Sequence, residues 1–106
     1  MARKIKISEL PEFDVAEHLK DDQDIAAYLT AVIEDGDAAE LARALGVAAR
    51  ARGMSEIAKA SGLTRESLYK ALRPGASPRF ETIVRVCSAL GLRLTVEPTG
   101  GTEHAA

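Results

Sequence analysis

Apolar residues recur at helical spacing along most of this chain of 106 residues. Ile25, Tyr28, Leu29, Val32 and Ile33 follow the i, i+3, i+4, i+7, i+8 rule of an amphipathic helix, which predicts a helix over 22–34. Asp21 or Asp22 caps it, and Gly36 ends it. A shorter helix is expected before it, over 13–19, with Asp14 as its cap. Val15 and Leu19 share one face there, and Phe13 packs back as a hydrophobic staple. A third helix is expected over 38–52, capped by Asp37, with Leu41, Ala42, Leu45, Ala48 and Ala49 as its inner stripe. Gly46 inside that helix costs about 1 kcal/mol relative to alanine, which points to a close helix crossing. Arg43, Arg50 and Arg52 emerge from it toward the next segment.

That segment, Met54–Arg73 (MSEIAKASGLTRESLYKALR), reads as two short helices and a tight turn. Ser55 is the expected cap of the first, and Ile57, Ala58 and Ala60 give it a small apolar face. Gly62 ends it, because glycine takes a left-handed conformation without steric cost. Thr64 caps the second helix by accepting from a free backbone N–H. Leu63, Leu68, Ala71 and Leu72 then point inward, leaving Arg65, Glu66, Ser67, Tyr69, Lys70 and Arg73 outside. A glycine turn followed by a helix with a polar, basic outer face describes a DNA-binding helix-turn-helix. The structural alternative is an ordinary αα-hairpin in a helical core.

Residues 73–79 (RPGASPR) form a turn-rich loop. A last helix is predicted over 80–90, with Ile83, Val84, Cys87 and Leu90 as its core face and Phe80 and Val86 partly off it, as surface for a second chain. After Gly91, residues 92–97 (LRLTVE) alternate apolar and polar, the pattern of a β-strand, and Pro98 stops it. Its partner is either residues 3–7 (RKIKI), themselves alternating, or the same strand of a second copy. Residues 3–7 read equally well as a frayed tail. The expected organisation is therefore a single domain over 1–98 with a disordered tail over 99–106. Acidic helices occupy 13–36, a helical core 37–91 and a strand 92–98. The fold class is mainly α, with five or six helices.

Composition narrows the function. Apolar residues make up 46% of the chain and only four residues are aromatic, so the core is aliphatic and alanine-rich. No apolar run approaches the roughly 18 residues of a membrane span, and the N-terminus lacks the apolar core of a signal peptide. Cys87 is the single cysteine, which rules out an intramolecular disulfide and a cysteine-cluster metal site. It reads as a small buried hydrophobe. His18 and His104 lie far apart, and no catalytic or nucleotide-binding motif spacing occurs. A cytoplasmic protein that is not an enzyme, and that uses no cofactor or metal, is the expectation.

The net charge of −2 conceals strong polarity. Residues 1–7 sum to +3, residues 8–42 to −10, residues 43–79 to +6, and residues 80–106 to −1. The basic block coincides with the helix-turn-helix, where Lys and Arg neutralise phosphates and release counterions. The acidic block is kept away from DNA and suits a basic partner. Its acids early in the 22–34 helix also favour the positive helix end, which explains Asp21, Asp22 and Asp24 with no partner at all.

Ile57-Ala58, Gly62-Leu63-Thr64 and Leu68 resemble the Xre/Cro-type helix-turn-helix family. In that family the alanine allows close helix packing, the glycine makes the turn, and the residues after the cap enter the major groove. The family often carries a glutamine near the start of its first motif helix, where this chain has Ser55 and Glu56. The wider resemblance covers residues 13–98. DVAEHL (14–19), IAAYLTAVIEDG (25–36), ARGM (51–54), GLTRESLYKAL (62–72) and the run from Pro78 to Pro98 occur in one order. RESLYKAL, PRFETI and ALGLRLTVEP are the most specific of these, and together they resemble the HigA-like antidote proteins of addiction modules.

This resemblance implies a small antitoxin that binds a RelE/ParE-superfamily toxin, a basic protein, and represses the operon encoding both. The implied DNA face places Arg65, Ser67, Tyr69 and Lys70 at base edges, with Arg preferring guanine and with Tyr69 packing on a sugar or a thymine methyl as the alternative. Arg50, Ser55, Lys59, Thr64, Arg73 and Arg79 lie along the backbone, with Arg52 and Ser77 as further phosphate contacts; for Arg43, Arg50 and Arg52 the alternative is a solvated helix face. Glu66 either accepts from cytosine or pairs with Lys70 at i, i+4. Glu17, Asp21, Asp22, Asp24, Glu34 and Asp35 are the candidate toxin contacts. One recognition helix reads few bases, so a homodimer on half-sites about 10 bp apart is expected. The alternatives are a stand-alone Xre-type repressor without a toxin, and an adaptor that has lost DNA binding.

Overall fold

The computed structural model describes residues 12–36 and 38–100. Among these the chain forms six helices: α1 (Glu12–His18), α2 (Asp22–Glu34), α3 (Ala38–Arg52), α4 (Met54–Ser61), α5 (Arg65–Leu72) and α6 (Phe80–Ala89).

α3 is the central strut, packed against α1, α2, α4 and α5. Ala42, Ala44, Leu45, Val47, Ala48 and Ala49 are all buried on it, so it is enclosed on most of its circumference. Its small residues let neighbouring helices approach closely, and Gly46 shows the limit of that approach. A Cβ built on Gly46 would lie 2.9 Å from the Leu72 carbonyl oxygen at the end of α5. The cost of glycine in mid-helix is offset by this contact, which any larger side chain blocks.

α2 starts on a reciprocal pair of caps. The Asp21 carboxylate accepts from the Asp24 N–H at 2.9 Å, and the Asp24 carboxylate accepts from the Lys20 N–H at 2.9 Å. Ile25, Tyr28, Leu29 and Val32 then bury the α2 stripe against α3. On α6 the buried side chains are Val86, Cys87 and Leu90, with Ile83 half-buried. Burial raises the Cys87 thiol pKa above its ordinary value of 9.0.

Several expectations are corrected. α1 begins at Glu12, so Asp14 lies inside the helix and does not cap it. Ile33, expected in the core, is 53% exposed because it sits in the last turn of α2, on the rim of a groove. That groove, about 690 Å³, runs between α2, α6 and the segment after α6, and Leu29, Leu41, Ile83 and Leu94 help to line it. Val84 is exposed and Val86 is fully buried, the reverse of expectation. Residues 83, 86, 87 and 90 form as good a helical stripe as 83, 84, 87 and 90, and the packing of α6 on α4 selects the former.

Residues 92–98 form no β-strand. The Leu92 N–H donates to the Cys87 carbonyl at 2.8 Å, and the chain then runs on in no regular element. A ladder requires a second segment alongside, and the described residues supply none. Residues 3–7, Asp37 and residues 101–106 lie outside the described residues. No described helix is long and apolar enough to cross a membrane.

Candidate nucleic-acid interface

Two glycines shape the α4–α5 pair. Gly53, with φ of 108°, turns the chain from α3 into α4 and serves as the α4 N-cap without a side-chain bond. Ser55 is therefore a residue of the first turn of α4, not its cap as the sequence suggests, because the backbone reversal at Gly53 starts the helix earlier. Gly62, with φ of 78°, ends α4: its N–H bonds to the Lys59 carbonyl, and the Leu63 N–H reaches back to Ala58 at 3.1 Å. This is a Schellman closure. The Thr64 hydroxyl then accepts from the Ser67 N–H at 3.0 Å and opens α5.

Leu68 and Leu72 anchor α5 in the core. With those positions held, Arg65, Glu66, Ser67, Tyr69 and Lys70 are all left on the outer surface. The one tight grouping among them centres on Tyr69. The Arg65 Nη2 donates to the Tyr69 hydroxyl at 3.1 Å, and its guanidinium lies 5.5 Å from the ring centroid. Arg50, from α3, lies 5.9 Å from the same ring. One aromatic ring thus holds two guanidinium groups from two helices, through its π-face quadrupole and its hydroxyl. Fixing both arginines on an exposed ring lowers the entropy lost when they meet an anion.

Ser55, Lys59, Thr64, Arg73 and Arg79 are exposed on the same helices and their flanks, with Arg73 ending α5 and Arg79 opening α6. Ser77, between them, is exposed too. Glu66 and Lys70 form no ion pair among the described residues, so both side chains remain available at the surface. Arg52 is drawn away: its Nη2 bonds to the Asp22 carboxylate at 2.6 Å. Arg85 escaped the sequence reading. Its Nη1 lies 3.6 Å from a Cβ built on Gly62, beside the α4–α5 turn, while its Nη2 holds Glu81 at 3.2 Å. The only sequence signal was the Glu81–Arg85 spacing of four.

The acidic residues divide into two groups. Asp21 and Asp24 cap α2, and Asp22 holds Arg52, so these three have work within the fold. Glu17, Glu34 and Asp35 are exposed. Glu34 and Asp35 sit at the C-terminal end of α2, whose last turn carries no basic residue. Their charge adds to the negative helix end instead of offsetting it.

A family model described as probable addiction module antidote protein matches residues 9–98. The chain belongs to this family. An uncharacterized protein of Haemophilus influenzae is 43% identical over 89 residues, covering 84% of this chain and 92% of the relative. No solved structure matches significantly. Membership in an antidote family implies an antitoxin role and, in general terms, a toxin partner.

Proposed function

We propose that this antidote protein binds and neutralises a RelE/ParE-superfamily toxin and represses its own operon. It does so in the cytoplasm as a homodimer, by binding alone, without catalysis or a cofactor. α4 and α5 act as a helix-turn-helix of the Xre/Cro type, with α5 in the major groove of operator DNA. The observation that carries the DNA reading is the Arg50–Tyr69–Arg65 cluster on the outer face of a glycine-turn helix pair. Arg65, Ser67, Tyr69 and Lys70 read base edges. Arg50, Ser55, Lys59, Thr64, Arg73 and Arg79 position the backbone, and Glu66 is placed to accept from cytosine.

The toxin reading rests on family membership and on the −10 charge of residues 8–42. Complementary potentials speed the encounter with a basic protein. Because Asp21, Asp22 and Asp24 already serve the fold, Glu17, Glu34 and Asp35 are the stronger contact candidates among the six. The same internal roles favour a second reading, a stand-alone repressor whose acidic helices merely complete the core.

The deciding experiment co-expresses this chain with the small open reading frame beside its gene and tests the product on the operon promoter. A complex that rescues growth and shifts the promoter supports the antitoxin-repressor. A salt-sensitive shift without any complex leaves the plain repressor. Unchanged promoter affinity after replacing Arg65 and Lys70 by alanine removes α5 from the DNA interface.

A further inference from the structure

The groove between α2, α6 and the segment after α6 is an apolar surface that the described residues leave open. Its volume is about 690 Å³, and Leu29, Leu41, Ile83 and Cys87 help to form its walls. Ile33 and Leu94, two large side chains on it, are 53% and 43% exposed. Among the described residues that line it, Arg93 alone carries a charge. The α2 wall, in contrast, ends in acid. Glu34 and Asp35 follow Ile33 directly, both are exposed, and neither forms a salt bridge among the described residues. The last turn of α2 carries no basic residue. The free carbonyls of a helix C-terminus favour a cation, so this corner is negative twice over and lacks its complement.

We propose that the chain's own residues 3–7 (RKIKI) lie extended in this groove. Two chain ends fall outside the described residues, and their composition selects between them. Residues 101–106 (GTEHAA) hold Glu103, no lysine or arginine, and no apolar residue larger than alanine. Residues 1–7 hold Arg3, Lys4 and Lys6 and no acid, with Ile5 and Ile7 interleaved. Side chains alternate along an extended chain, so Ile5 and Ile7 project to one side and Lys4 and Lys6 to the other. The isoleucines enter the groove beside Ile33, Ile83 and Leu94, and the lysines stay in water. Arg3, on the isoleucine side, lays its aliphatic stem on the rim and brings its guanidinium to Glu34 and Asp35. The chain is long enough for this: the nine peptide steps from Glu12 back to Arg3 reach up to about 30 Å, against about 20 Å for the whole of α2.

The arrangement assigns the basic N-terminal residues to the acidic end of the molecule and not to DNA. It supplies the cation that the end of α2 lacks, and it covers apolar surface that invites association with other proteins. It goes beyond the antitoxin and repressor readings and depends on neither.

Methyl NMR of the full chain tests the docking. With isoleucine and leucine methyls labelled, cross-peaks from Ile5 or Ile7 to Ile33, Ile83 or Leu94 are expected. A sample mixed from labelled and unlabelled chains separates contacts within one chain from contacts between copies, and contacts within one chain are expected. Arg3→Glu weakens the cross-peaks, and the exchange R3E/E34K restores them. The double variant I5D/I7D changes no residue of the six helices, so its far-ultraviolet circular dichroism stays as in the parent. Fluorescence of the apolar dye anilinonaphthalene sulfonate rises several-fold in it as the groove opens, whereas Lys4→Gln, on the water side, leaves the dye signal unchanged. Absent cross-peaks overturn the proposal. So do cross-peaks found only between copies, which give the groove to a second chain. Equal dye fluorescence in the parent and in I5D/I7D also overturns it, because the groove is then open to a different partner.

Discussion

Arg52 and Asp22, thirty positions apart, meet at 2.6 Å and tie the end of α3 to the start of α2. The contact joins the basic block to the acidic block and removes one arginine from the proposed DNA face. The Asp22 carboxylate also crowds Gly91: a Cβ there would lie 2.8 Å from its oxygen. Both charged side chains are partly exposed, so the pair contributes little stability. Asp22→Asn is expected to lower the urea-unfolding free energy by less than about 1 kcal/mol. Freed from Asp22, Arg52 is expected to raise promoter affinity modestly in a salt-dependent way. A filter-binding titration at two salt concentrations checks this.

Gly46→Ala is expected to destabilise the fold even though alanine is the better helix former. The propensity gain of about 1 kcal/mol is outweighed by a contact of 2.9 Å with the Leu72 carbonyl oxygen, a backbone atom that yields only if α5 moves. A net loss of about 1–2 kcal/mol in chemical denaturation is the expected result.

Thr64→Ala and Ser55→Ala separate a cap from a look-alike. Loss of the Thr64 bond to the Ser67 N–H is expected to cost about 1 kcal/mol. Ser55 makes no capping bond at α4, so its loss is expected to stay within about 0.5 kcal/mol. Thermal unfolding of the two variants side by side reads the difference.

Tyr69→Phe keeps the ring and removes the acceptor of Arg65, whereas Tyr69→Ala removes the platform for both arginines. Promoter affinity measured by anisotropy is expected to fall a few-fold for the first and about tenfold for the second, on the usual size of exposed cation–π contacts.

Cys87 is buried, and its pKa is raised by desolvation. The folded thiol stays neutral where the unfolded thiol ionises. Its contribution to stability is therefore complete below the ordinary value of 9.0 and is lost as pH rises through the higher folded value. Iodoacetamide is expected to label the native chain slowly and the urea-unfolded chain fast at the same alkaline pH.

Much of this was legible in the residues. The bounds of α2 and α3 and the end of α4 follow from stripes and stop signals that are local in sequence. So does the outward set of α5, because Leu68 and Leu72 leave the helix no other orientation. The Thr64 cap and the Gly62 turn were equally local. Ser55 misled because a serine before an apolar run is a good cap signal, while Gly53 had already reversed the chain. Val84 and Val86 exchanged roles because α6 offers two apolar stripes that share Ile83, Cys87 and Leu90 and differ only in which valine completes them. Nothing within the helix chooses between them.

The sequence by itself thus determined the helical class, the glycine-turn helix pair, the separation of acidic from basic charge and the resemblance to an antidote family, since each depends on residues within a few turns of one another. Only the tertiary structure decided which acids are spent on caps and on Arg52, that Arg50 from α3 joins Arg65 on the ring of Tyr69, and that Gly46 exists to admit Leu72. Those relations join residues far apart in the chain, and packing, not pattern, sets the distance between them. Residues 92–98 mark the boundary between the two: their alternation is written in the sequence, but a strand exists only where another segment completes its hydrogen bonds.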